Sequence, residues 1–273
     1  MLQLAMKILD GRTEPHRISL AIAGGSLVAY TGPAPDKDSD NEDTVAAIPY
    51  GPDAAVLVIA DGAGGMPGGR RASETAVTVL EASLMRAMNE TILLRTAILD
   101  GIEAANQAIL DIGNGSATTL TVVTIEGRTA RMYQIGDSEA MIVGQRGLIK
   151  AQTMPHSPTG FAVEAGFLDQ RAALHHEDRH LVSNFIGTSD MRIDVGAAVE
   201  LDSRDTVLLA SDGLTDNIHR DEIVEFMRKG ALDKALDVII YRAVRRMTVE
   251  SKTLPSKPDD LSLILFRKPL HSH

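Results

Sequence analysis

The chain has no cysteine and no tryptophan in 273 residues. Without thiols it can form no disulfide, no thiolate zinc site and no cysteine nucleophile. Aromatic residues make up only 3% against 44% hydrophobic, so the core must be packed from Val, Ile, Leu, Ala and Met. Basic residues are also short, 27 against 37 acidic, for a formal charge of -10. That deficit argues against a nucleic-acid partner, because phosphate backbones select clustered Lys and Arg. It favours a surface that attracts cations. Long apolar runs are missing too. The longest, AAVLVIA at 54–60, falls far short of the ~18 residues a membrane span requires. MLQLAMKIL at the start is too short for a secretion signal, and no basic segment precedes it. These absences lead to the expectation of a cytoplasmic protein with no membrane and no nucleic-acid partner.

What is present is a set of short, β-branched runs: RISLAIA, AAVLVIA, TTLTVVTI, TARMYQI, EAMIVG, DTVLLA and LSLILF. Their length and their flanking Gly, Asp and Ser residues predict strands. IEGRTARMY predicts a hairpin, and GQRGL a further turn. Helical spacing runs from Ser73 with a break near Asn89, then from Ile92 to Gly113. A second helical block holds Leu232, Ala235, Leu236, Ile239, Ala243 and Met247 on one face. Helix blocks between strand runs, without strict alternation, predict an α+β fold of antiparallel sheets with helices outside. No internal repeat or interdomain linker breaks the chain, so residues 1–273 read as one domain. ESKTLPSKP reads as a loop, and 153–180 as a long surface insertion.

Acids mark the loops. PDKDSDNEDTV, residues 35–45, holds five carboxylates, but it lacks the Gly and Glu that an EF-hand needs at its sixth and twelfth positions, where Asn41 and Ala47 stand. Apolar runs elsewhere stop at acids: Asp61 in VLVIADGAGG, Asp137 in MYQIGDSEA, Asp212 and Asp216 in VLLASDGLTD. Asp259 and Asp260 directly precede LSLILF. A carboxylate at a strand end is rigidly held yet faces solvent, which suits a metal ligand. Oxygen donors without Cys or a His cluster favour Mg²⁺ or Mn²⁺. HHEDRH at 175–180 offers His175, His176 and His180, but in an irregular stretch it reads as a surface or substrate-facing loop.

NED at 41–43, ADGAGG at 60–65, GSATTLTVV at 115–123, IGDSEA at 135–140, ASDGLTDN at 210–217 and DDLS at 259–262 occur in one order. With them the chain resembles the metal-dependent protein phosphatases of the type 2C class, bacterial branch, most clearly over 32–266. The resemblance implies a four-layer α-β-β-α sandwich with a binuclear Mn²⁺ or Mg²⁺ centre at one edge. It implies that Asp61 bridges two ions, that Glu42 and the Gly62 carbonyl hold one, and that Asp212 and Asp259 hold the other. It further implies that Asp43 binds a metal-coordinated water and that Asp137 and Asp216, with Asp212, match the ligands of a third ion. The implied activity is hydrolysis of phosphoserine and phosphothreonine in proteins by a metal-activated water, opposing a Ser/Thr kinase. Residues 153–180 then correspond to the family's flap, and His156 at its start reads as structural.

Three departures stand out. The family's phosphate-gripping Arg, four residues before the motif Glu, is Asp38 here; the nearest cation, Lys37, becomes the candidate for substrate phosphate. Glu139 replaces the Arg of a GDSR pattern. Asp259-Asp260 replaces Asp-Asn, and register against Ser262 favours Asp259 as the ligand. A second reading follows from the missing Arg: an inactive or weak homologue serving as a phosphoprotein-binding or scaffold module. The retained, mutually repelling carboxylates favour the enzyme.

Overall fold

The computed structural model describes residues 7–9, 11–64, 66, 68–249 and 254–269. Two antiparallel sheets stack face to face with helices on both outer sides, giving four layers. Among the described residues the first sheet runs in the spatial order Lys7–Leu9, Asp43–Pro49, Ala54–Asp61, Leu120–Glu126, Thr129–Ile135, Asp194–Val195, with Val199–Glu200 also on Thr129–Ile135. The second runs His16–Ile22, Gly25–Gly32, Leu261–Arg267, Thr206–Ala210, Glu139–Val143, Ile149–Gln152.

The period-2 pattern decides which core each side chain enters. Val45, Ala47, Leu57 and Ile59 face the inter-sheet core, where Leu27, Leu209, Ile264 and Phe266 meet them. Their neighbours Ala46, Ile48, Val56 and Val58 face α1 (Gly69–Glu90) and α2 (Leu94–Leu110). On the other side Val28, Leu208, Leu263 and Leu265 pack under the C-terminal helix. Central strands buried on both faces read as continuous apolar runs rather than alternating ones.

All seven predicted strands are present, as is the IEGRTARMY hairpin, in which Glu126 pairs with Thr129. Six further strands among the described residues went unread: Lys7–Leu9, Gly25–Gly32, Asp43–Pro49, Ile149–Gln152, Asp194–Val195 and Val199–Glu200. Residues 1–6 of the opening segment, 250–253 of the ESKTLPSKP loop and Gly65 lie outside the described residues. The 153–180 stretch folds into α3 (Pro158–Glu164), α4 (Gln170–Ala173) and a 3₁₀ turn, Glu177–His180. Ser157 and Asp169 cap the two helices through their side-chain oxygens. The chain then crosses α5 (Asp212–Thr215) and α6 (Arg220–Met227) to α7 (Leu232–Thr248), the second predicted helical block. No helix among the described residues is long and apolar enough to cross a membrane.

Candidate metal centre

The strand-end acids collect at one edge of the sandwich. Asp43 opens its strand, Asp61 closes the next, and the two are directly paired across the ladder. Asp137 follows Ile135, Asp212 follows Ala210, and Asp259 precedes Leu261. The edge has a hydroxyl floor. Asn41 Nδ2 donates to Thr31 Oγ1 at 2.8 Å, Thr31 meets the Ser262 hydroxyl at 2.8 Å, and the Ser262 amide donates to Ser211 Oγ at 3.0 Å. Thr119 Oγ1 shares a hydrogen bond with Ser138 Oγ at 2.9 Å and accepts from the Asp61 amide. These bonds fix the strand ends that carry the carboxylates.

Asp43 is the informative group. It is buried, and neither carboxylate oxygen has a hydrogen-bond partner. Burial, then the Asp260 charge, pushes its pKa up to about 8. Burial and then Asp43 raise Asp61 well above the usual carboxylate range, with Asp212 and Asp259 adding to it. Burial, then Asp212 and Asp216, do the same to Asp137. Asp216 and Asp259 are each pushed to about 6, by burial and then Asp212. So many raised carboxyls at one edge are a deficit of positive charge.

Glu42 is set in a glycine cradle. A Cβ on Gly69 would come within 2.8 Å of Glu42 Oε1, and one on Gly64 within 3.3 Å of Oε2. Gly62 leaves no room for a side chain either: its Cβ would lie 2.4 Å from Gly69 backbone. Its amide donates to Glu42 O at 3.2 Å. Only glycine allows the turn after Asp61 to close on Glu42 this tightly.

Among the described residues no three His, Asp or Glu side chains stand together as a ready metal cage. Two lysines are set among the acids instead. Lys257 Nζ lies 2.6 Å from Asp212, 2.9 Å from Asp216 and 3.1 Å from Asp259. Lys37 Nζ lies 2.6 Å from Asp260 and 3.8 Å from Glu42.

The protein phosphatase 2C family model matches residues 35–236. The chain belongs to the protein phosphatase 2C family. Protein phosphatase PhpP of Streptococcus pneumoniae is 32% identical over 199 residues, covering 68% of this chain and 78% of that protein. The Streptococcus agalactiae serine/threonine phosphatase structure superposes with a TM-score of 0.73 at 25% identity, covering 96% of this chain and 99% of that one. The catalytic domain of the serine/threonine protein phosphatase PstP, in complex with two manganese ions, shares the fold with a TM-score of 0.69 at 22% identity, over 88% of this chain and 96% of that one.

Within this phosphatase Lys37, Glu139, Asp259 and Asp260, at or beside the departures from the family pattern, each have a charged partner. Asp259 and Asp260 part company: Asp259 faces Lys257, whereas buried Asp260 accepts from the Ala34 and Glu42 amides, both at 2.8 Å, and from Lys37. Lys37 therefore meets a competing partner to any substrate phosphate. Burial would lower its pKa, but the Asp260 contact outweighs this and raises it. Glu139, buried, pairs with Arg220 of α6 at 3.3 Å. Arg70, a further candidate cation, donates to Asn41 O and pairs with Glu74.

His156 is a clamp. Its Nδ1 accepts from the Gly136 amide at 3.2 Å and from Asn184 Nδ2 at 2.8 Å, and Nε2 donates to Asp194 at 3.0 Å. It thereby ties the start of the insertion to the corner that carries Asp137. The insertion and α5–α6 line a cavity of about 580 Å³ that opens on Asp137, Asp212 and Asp216. His176 accepts from the Asp178 amide within its own turn. Sequence reasoning missed Lys257 and Arg220, whose partners lie 45 and 81 residues away.

Proposed function

We propose that this edge is the binuclear centre of a phosphoserine/phosphothreonine phosphatase. The carrying observation is the Asp43–Asp61 pair: two carboxylates facing each other, one of them buried with both oxygens unpartnered. Such an arrangement is unfavourable without cations, and its donors are all oxygens, the set hard divalent ions take. Asp61 would bridge two ions, Glu42 and the Gly62 carbonyl would serve one, and Asp212 and Asp259 the other. Asp137 and Asp216, with Asp212, form the wall that corresponds to the family's third-ion position, and here it faces Lys257. Mn²⁺ or Mg²⁺ bound there would acidify a water and offset the charge of the phosphoryl oxygens.

The chain's own groups then position and exclude. Asp43 presents acceptor oxygens that lack donors, and it would orient the water and take its proton. The hydroxyl floor holds the strand ends rigid, and the glycine cradle keeps Glu42 in place. Lys37 is the cation nearest to substrate phosphate, and it would have to exchange Asp260 for that contact. The cavity beside the insertion has room for residues flanking the phosphorylated side chain. No protein nucleophile is needed, in keeping with the absence of cysteine. The opposing enzyme would be a cytoplasmic Ser/Thr kinase.

The family match supports the enzyme over an inactive module. The test is release of phosphate from a phosphothreonine peptide with Mn²⁺, Mg²⁺ or EDTA. Turnover with either ion and none with EDTA is expected. Peptide binding without turnover under all three conditions would favour the module.

A further inference from the structure

Lys257 is built into the acidic edge rather than draped over it. Its backbone is held by a buried amide: the Lys257 amide donates to Asn217 Oδ1, and Asn217 Nδ2 donates to the Lys257 carbonyl, both at 2.8 Å. Neighbouring Ser256 is fastened on two sides. Its carbonyl accepts from Arg179 Nη2 at 3.0 Å, and its hydroxyl donates to Arg246 O at 2.7 Å. The ammonium that this anchoring delivers donates to Asp212 Oδ2 at 2.6 Å and lies at ion-pair distance from Asp216 and Asp259, 2.9 and 3.1 Å away.

We propose that Lys257 is a tethered counter-ion that takes the place of a divalent cation between Asp212 and Asp216. The inference rests on the metal centre proposed above. An ion entering between Asp212 and Asp259 draws those two carboxylates off the ammonium, which remains on Asp216. The acidic wall of Asp137, Asp212 and Asp216 is then neutralised by the chain itself. A covalently attached cation competes with free ions at a high effective concentration, and a unit positive charge a few ångströms away opposes a divalent one directly. Lys257 is thus a positioning residue that sets how many ions the centre admits.

Bound Mn²⁺ is counted by mass spectrometry of the metal after gel filtration of the full chain at fixed free Mn²⁺, for wild type, Lys257→Met and Lys257→Arg. The Lys257→Met protein should carry one more Mn²⁺ than wild type, and Lys257→Arg should match wild type. Equal metal content in wild type and Lys257→Met overturns the inference. A wild type that binds no Mn²⁺ defeats the metal centre itself, so the two failures are distinguishable. If Lys257→Met does not fold, acetylation of wild-type Lys257 by acetic anhydride, followed by peptide mass, gives the answer. Lys257 should stay protected with and without saturating Mn²⁺; rapid acetylation in the Mn²⁺-loaded protein overturns the inference.

Discussion

Asp43 and Asp61 are cross-strand partners, the first residue of one strand opposite the last residue of the next. A pair of this kind is where two apolar strands that buried 0% exposed residues such as Val45 and Ile59 end at charge. The hydrophobic run fixes the position of the carboxylates, and the carboxylates define the chemistry.

The metal-free protein should lose stability as pH rises. Asp43, at about 8, and Asp216 and Asp259, at about 6, have folded-state values above their ordinary one. The folded state therefore holds more protons than the unfolded chain between roughly pH 4 and pH 8. Below that window the acids are protonated in both states and the penalty vanishes; across it, each rise in pH costs folding free energy. Thermal unfolding in EDTA should show the midpoint falling from pH 5 to pH 8. Saturating Mn²⁺ should flatten or reverse the trend, because ions displace protons from the same oxygens. A metal-free midpoint that climbs over this range would contradict the raised carboxyls.

Lys37→Ala should destabilise the fold. Asp260, 5% exposed at its side chain, would keep its two backbone donors but lose its charged partner. With Lys37 22% exposed, the cost belongs at the low end for a broken buried pair, about 1–3 kcal/mol. Differential scanning calorimetry measures it. KM for p-nitrophenyl phosphate, taken with the same protein, separates the two roles of the lysine. A rise in KM at constant kcat marks a contact with substrate phosphate, and an unchanged KM confines Lys37 to Asp260.

Asp137→Ala should separate binding from turnover. Asp137 is buried beside Asp212 and Asp216, and its corner is clamped independently by His156. The two ions assigned to Asp61 should remain tightly bound, while turnover falls on the order of tenfold, ~1.4 kcal/mol of transition-state stabilisation. Isothermal titration and steady-state kinetics on one preparation check this. Equal loss of both would place Asp137 in the binuclear core.

The sheets were legible because their strands are uniform. AAVLVIA and TTLTVVTI are buried on both faces and bounded by turns, so length and branching identify them. Gly25–Gly32 was not, since glycine at both ends and Ser26 and Thr31 within it break the apolar run. Asp43–Pro49 begins with the acid of a charged loop, which hid its start. The acids at strand ends could be read because each follows or precedes an apolar run directly. Their counter-charges could not. Lys257 to Asp212, Lys37 to Asp260 and Arg220 to Glu139 are contacts made by folding, at separations of 45, 223 and 81 residues. No periodicity records such a pairing. Lys37 read as the candidate cation for substrate phosphate, whereas in the fold it is paired with Asp260.

Calorimetric titration of Mn²⁺ into the metal-free wild type and into Asp61→Asn tests the central claim most directly. Asp61 is the carboxylate assigned to both ions, and asparagine keeps its shape while removing its charge. The wild type should bind two Mn²⁺ tightly. Asp61→Asn should lose that binding together with hydrolysis of the phosphothreonine peptide, and its metal-free form should be more stable by about 1 kcal/mol through relief of the repulsion with Asp43. An Asp61→Asn protein that still binds two ions and still hydrolyses the peptide would contradict the account.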